Sequence, residues 1–183
     1  MADRLHFTDS EAANALLARD PMALLIGFAL DQQVTVQKAF SAPLAILERT
    51  GTLQPAWLAE AELEAVFRQR PAVHRFPAVM ARRVSELAAH VCELHGGDAS
   101  RIWSQAADAQ DLRARLLALP GFGEMKVTSL GAVLARRLRV AVAEPLVPTH
   151  PTLGDVDSAQ ALADYQAAKR AHRASLSAAR RAR

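Results

Sequence analysis

The sequence contains a single cysteine, Cys92. One thiol excludes an intrachain disulfide framework, a zinc finger built on several cysteines and a four-cysteine iron–sulfur cluster. Glycine (8) and proline (9) are scarce among 183 residues, which argues against collagen-like, low-complexity and turn-rich all-β classes. The longest apolar run, Pro21 to Leu30, is ten residues, too short to span a bilayer. The opening Met-Ala-Asp-Arg-Leu carries an acid and lacks the apolar stretch of a secretion signal. A cytoplasmic location without a membrane partner is therefore expected. No window alternates as a half-buried strand does, and no internal repeat is visible. What is present is alanine and leucine throughout. Hydrophobic residues make up 51% and charged residues 22%, enough apolar material for a core in one domain or two small lobes.

Charge is unevenly placed. The formal net charge is +3, with 22 basic and 19 acidic residues. From residue 166 onward there are six basic residues (Lys169, Arg170, Arg173, Arg180, Arg181, Arg183) and no acid, so the first 165 residues carry a net −3. Two strips within that mildly acidic body are basic. Arg68 to Arg83 holds five Arg and no acid, and Lys126 to Arg139 holds four basic residues and no acid. Local basic strips suit contact with a polyanion along one face. Arginines that merely solvate an Ala/Leu-rich surface are the alternative.

The punctuation is helical. Thr8-Asp9-Ser10-Glu11 reads as a capping box opening a helix to about Ala18. Asp20-Pro21 reads as an N-cap with Pro at the first helical position, starting an apolar helix to about Asp31. Pro43 predicts a break or restart in the next helix. Short helices are expected at 54–59 and 60–69, and a long amphipathic one from Pro77 to about His95, stopped by Gly96-Gly97. Two more are expected at 109–118 and 124–138. The proline-rich stretch 139–155 reads as loop, and Asp157-Ser158 offers a cap for a final helix. Trp57 and Trp103 read as core anchors rather than stacking platforms. His90, Cys92 and His95 share a helix without facing one way, so no metal site is expected there.

One segment carries chemical information. Leu119-Pro120-Gly121-Phe122-Gly123 stands between two helical stretches. Two glycines one residue apart allow a tight bend, and the bend presents free N–H groups at a helix start, where the dipole adds partial positive charge. Such a turn holds a phosphate oxygen without base-specific side chains. Lys126 and Thr128, in the first turns of the following helix, are candidates for further phosphate contacts. An ordinary helical hairpin, or one used only for protein–protein contact, is the plainer reading.

Leu-Pro-Gly-Phe-Gly-Glu-Met-Lys resembles the hairpin of the helix–hairpin–helix base-excision DNA glycosylases, the endonuclease-III-like superfamily. Leu24 to Thr35 is similar to that family's apolar helix ending in a Gln-containing turn, and His74 to Ala88 resembles the region between. The likeness covers about residues 20–138. It implies an all-α fold with a six-helix domain at 20–138 and a second small helical lobe built from 1–19 plus 139–183. It also implies a monomer that acts on damaged double-stranded DNA by extruding one nucleotide into a pocket between lobes.

By position, Gln32 or Gln33 fills the gap left by the extruded base, with a helix-capping amide as the alternative. Gly121 and Gly123 present the phosphate-binding amides. Phe122 packs against the sugar-phosphate or folds back into the core. Arg75, Arg82 and Arg83 belong to the strip that would approach the backbone opposite the hairpin. No organic cofactor is implied, although a monovalent cation at the hairpin carbonyls is.

The chain departs from the family at the chemistry. Bifunctional members carry a Lys two residues after the second hairpin glycine; here that residue is Met125, which cannot form a Schiff base. Lys126 is about 100° further round the helix and is expected to point elsewhere, so lyase activity is not expected. Monofunctional members use an Asp in a Val-Asp-Thr-His-like context. This chain has Val147-Pro148-Thr149-His150 instead. Spacing selects Glu144 as the substitute carboxylate, with Asp155 second because a carboxylate near a helix start could both cap and face the pocket. Both could also be solvated loop acids. The expected activity is a monofunctional glycosylase using water as nucleophile; the alternative is a catalytically silent DNA-structure or lesion binder.

Overall fold

A computed structural model describes residues 2–181, and their side chains as far as residue 171. Arg173, Arg180, Arg181 and Arg183 of the basic tail lie outside the described side chains. Among the described residues the protein is all-α, with no strand, and no single helix is long and apolar enough to cross a membrane.

Helix α1 (Glu11–Arg19) starts two residues later than a cap at Thr8 would place it. Ser10 is the N-cap, its Oγ accepting from Ala13 N at 3.2 Å. Thr8 is diverted to the buried amide of Asn14, whose Oδ1 also accepts from the Phe7 and Thr8 amides. Helix α2 (Pro21–Leu30) begins as its sequence predicts: Asp20 Oδ1 accepts from Met22 N and Ala23 N. Every residue of α2 after Pro21 is buried, because a helix apolar on all sides can only thread the core.

Helix α3 (Val36–Thr50) runs straight through Pro43, against the expected break. The proline removes one backbone donor and crowds the preceding turn, at a cost of about 3 kcal/mol. The buried face of Ala39, Phe40, Pro43 and Ile46 offsets this. Phe40 lies edge-on to Phe7 (4.9 Å between centroids) and to Phe28 (5.0 Å), so a break here would unpack three rings. Helices α4 (Pro55–Glu60) and α5 (Leu63–Arg68) pack on the long α6 (Pro77–His95), which ends at Gly96 as expected. Trp57 is 42% exposed on α4, contrary to its reading as a core anchor, whereas Trp103 on the short α7 (Arg101–Ser104) is buried. Four residues carry no helical period, which is why α7 was not foreseen.

Helices α8 (Ala109–Ala118) and α9 (Glu124–Arg136) follow, packed on each other across a short turn. The stretch 139–155 is not an open loop. It folds into two 3-10 helices, Ala141–Leu146 and Leu153–Asp155, both laid on α9. Gly154 makes that approach possible: a Cβ there would stand 2.6 Å from the Ala132 carbonyl carbon. Helix α10 (Ala159–Arg181) follows, its start held by Ser158 Oγ accepting from Ala161 N. One apolar cluster runs from Leu5 to Leu162 and takes in residues of 20–138 and of the flanking segments 1–19 and 139–183.

Candidate nucleic-acid interface

Two turns stand near one cavity: the glutamine turn lines it directly, and the hairpin adjoins it through the first turn of α9, where Met125 and Lys126 line it. The first joins α8 to α9. Leu119 ends α8, Phe122 N closes the bend onto Leu119 O at 3.1 Å, and Gly123 is the N-cap of α9 without any side-chain cap. Gly121 has φ 80°, a conformation that strains any residue with a Cβ. A Cβ there would also meet the Arg83 side chain, whose flexible guanidinium would have to shift. The amides of Gly123, Glu124 and Met125 find no acceptor among the described residues. They form an open donor array at the positive end of a 13-residue helix. The acid at its mouth, Glu124, is held by Arg113, whose Nη2 lies 2.6 Å from both carboxylate oxygens.

The hairpin side chains are placed unequally. Phe122 folds back into the core at 7% exposure. Lys126 is not a free phosphate contact: its Nζ lies 5.7 Å from the Phe122 ring centroid and donates to Ala29 O at 3.0 Å, tying α9 to the end of α2. Thr128 is half-buried on α9 and does not line the cavity.

The second turn follows α2. Asp31 is its C-cap, Gln32 N bonds Leu30 O at 2.7 Å, and Gln33 has φ 56°, a left-handed conformation rare outside glycine. Both glutamines are exposed, so neither is a buried capping amide. The turn is held from a distance. His74, 1% exposed, donates from Nε2 to Gln32 O at 3.1 Å, while its Nδ1 accepts from Phe76 N at 3.1 Å. Burial pushes the His74 pKa down; the bonds toward Gln32 and Leu30 oppose that, and Lys38 and Arg75 add to it. The neutral ring with hydrogen on Nε2 satisfies both bonds.

Between the turns and α10 opens a cavity of about 760 Å³. Phe28, Asp31, Gln32, Gln33 and Arg75 line one side, Met125, Lys126 and Ser129 of α9 another, and Tyr165, Gln166, Lys169 and Arg170 of α10 a third. Reciprocal amide bonds between Gln37 and Gln166 (2.6 and 3.3 Å) fasten α10 to α3 beside it. Burial lowers the Lys126 amine to about 8, with Asp31 opposing the drop and Arg83 adding to it. Lys126 lines the cavity beside Met125 although its amine is bonded to Ala29 O, because α9 presents both residues to so wide an opening.

The arginine strip does not act as one face opposite the hairpin. Arg83 packs on Gly121 in the hairpin itself, and Arg75 lines the cavity with its guanidinium 4.8 Å from the Phe76 ring centroid. Arg82 lies on the α6 surface, 3.8 Å from Glu86. Nor do the two expected carboxylates reach the cavity. Glu144 is exposed on the 3-10 helix packed against α8 and α9. Asp155 is consumed locally: Oδ2 accepts from Thr152 N at 2.8 Å, and Oδ1 pairs with Arg136. The carboxylate that does line the cavity is Asp31. Its sequence signal was an acid at the C-terminal end of a helix, where the dipole disfavours negative charge, directly before the two glutamines. No protein-family model, curated protein or solved structure matches the chain.

Proposed function

We propose that the chain has the helix–hairpin–helix glycosylase fold, binds duplex DNA through the backbone amides of residues 123–125, and takes one extruded nucleotide into the cavity beside Gln32 and Gln33. There it hydrolyses the N-glycosidic bond. The observation that carries this reading is a strained exposed glutamine turn and a lone carboxylate lining one cavity, with an uncapped helix N-terminus beside it whose Met125 shares that lining. A helix start grips phosphate without reading sequence, and an exposed amide side chain on a fixed turn can occupy the space a base vacates.

In this reading Asp31 stabilises positive charge developing on the sugar as the base departs, and water completes the displacement. Asp31 replaces Glu144 and Asp155 in that role. Lys126, held on the Ala29 carbonyl, binds rather than attacks, so borohydride is expected to trap no protein–DNA adduct on an abasic duplex. The carbonyls of Pro120 and Gly121 accept no hydrogen bond among the described residues, and they are the groups that would hold the monovalent cation.

The test is abasic-site release from duplexes carrying uracil, alkylated, oxidised or mismatched bases, revealed by alkali. Activity lost in Asp31→Asn but kept in Glu144→Gln supports the reading. Binding that falls steeply with salt, with no base released from any duplex, supports the silent lesion binder instead. That second reading draws on the displacement of Glu144 and Asp155 from the cavity.

A further inference from the structure

We infer that the cavity selects a neutral base presenting a lactam edge, a ring carbonyl beside a ring N–H, and rejects a positively charged alkylated base. This rests on the cavity being the seat of an extruded nucleotide, as proposed above.

Charge is the first ground. Arg75, Lys126, Lys169 and Arg170 line the cavity, against Asp31 as the single carboxylate among its lining residues. A cationic ring entering a half-enclosed space with that balance meets net repulsion, and a neutral ring does not. Burial, which is the main reason the Lys126 amine is lowered to about 8, also disfavours a second charged group there.

Hydrogen-bond direction is the second ground. An ammonium only donates and a carboxylate only accepts. Lys126 uses one of its three hydrogens on Ala29 O, which leaves two for a ligand. Ser129 lies one helical turn further along α9 and lines the same cavity. Its Oγ is shielded from water and has no partner among the described residues. A shielded hydroxyl without a bond is costly, and a step between staggered χ1 positions lets it seek a new acceptor. Donors at Lys126 and Ser129, with an acceptor at Asp31 in electrostatic reach of Lys126, complement a C=O next to an N–H. An exocyclic amine beside an unprotonated ring nitrogen offers the reverse pattern.

Deamination creates a lactam edge, because it replaces an exocyclic amine by a carbonyl and protonates the adjacent ring nitrogen. Uracil and hypoxanthine in DNA are such bases. Each sits in a weakened pair, which lowers the cost of extrusion.

The experiment measures binding to duplexes in which a 2′-fluorinated sugar prevents cleavage, so base preference is read without chemistry. Duplexes carry uracil, hypoxanthine, cytosine, adenine or cationic 7-methylguanine at one position. Uracil and hypoxanthine duplexes are expected to bind about tenfold more tightly than the others, the upper scale of one hydrogen bond made by a neutral hydroxyl. Ser129→Ala should remove most of that preference and Ser129→Thr should retain it. Affinity for a duplex with an abasic analogue should stay unchanged in both, which also reports that they fold. Equal or tighter binding of the 7-methylguanine duplex overturns the inference, as does a preference untouched by Ser129→Ala. Failure to release any base in the activity assay overturns the hydrolytic reading alone; an absent preference here overturns the lactam inference alone.

Discussion

The two turns that flank the cavity are built by opposite means. The hairpin at 119–123 is local: a proline, two glycines and the ends of two helices set it, and its closing bond, Phe122 N to Leu119 O, spans three residues. The glutamine turn at 31–33 has no such composition. It keeps a left-handed Gln33 because His74 grips the Gln32 carbonyl from 42 residues away and Lys126 grips Ala29 from 97 residues away. One turn is dictated by its own residues, the other by the fold around it. Strain confined to the second is what a preorganised binding element would store.

Four substitutions separate these cases. Asp31→Asn is expected to have the largest effect, lowering base release by about 10²–10³, the scale of removing one preorganised electrostatic group. Duplex affinity should barely move, since Asp31 touches no phosphate in this reading. An activity assay beside a binding titration decides it.

His74→Phe comes second. Losing both ring bonds frees the Gln32 carbonyl and the Phe76 amide, at about 1–3 kcal/mol by chemical denaturation. The pH dependence has a definite sign. The folded protein holds His74 below 6.5, so as pH falls through 6.5 the unfolded chain takes up a proton that the folded chain refuses. Stability therefore falls on acidification and is fully present above 6.5. The variant should show a shallower acid slope rather than none, because His95 is also lowered, by burial first and then by His90 and Arg115.

Gly121→Ala comes third and acts on the local turn. The strain at φ 80° costs about 1 kcal/mol, and the new Cβ must displace the Arg83 guanidinium. Duplex affinity is expected to fall about tenfold with a reduced salt slope, while the glutamine turn and its pH dependence stay as they were. Fluorescence anisotropy at several salt concentrations measures both. An affinity unchanged by this substitution would remove the hairpin from the interface.

Lys126→Met should be the mildest. The folded chain releases the Lys126 proton at about 8 and the unfolded chain at 10.5. Between those values the unfolded chain holds more protons, so this residue makes stability rise with pH. In the variant that rise should be missing from denaturation curves taken across the same window.

Legibility followed the range of the interactions. Asp20-Pro21, the run Pro77–His95 with its glycine stop, and the 109–118 hairpin arm were readable because caps and a 3.6-residue period act within a few positions. Pro43 misled because its buried face answers to Phe7 and Phe28, which no local rule contains. The stretch 139–155 misled because its prolines fit 3-10 turns pressed onto α9 as readily as an open loop. The same limit governed the site. Gly121 and Gly123 were singled out from their neighbours and Gln32 and Gln33 through a resemblance, whereas Glu144 was chosen by chain distance from the hairpin and Asp155 by its place near a helix start, and neither reports which side of α9 a segment packs against.

By itself the sequence determined helical class, most helix starts and stops, and the bend that bares three amides at the head of α9, because each depends on residues within one turn of the chain. Only tertiary structure decided that Asp31 faces the cavity, that Lys126 spans to α2, and that Ser129 is left with an unmade bond. Those facts arise where α2, α9 and α10 meet, and burial there is settled by packing among segments more than ninety residues apart.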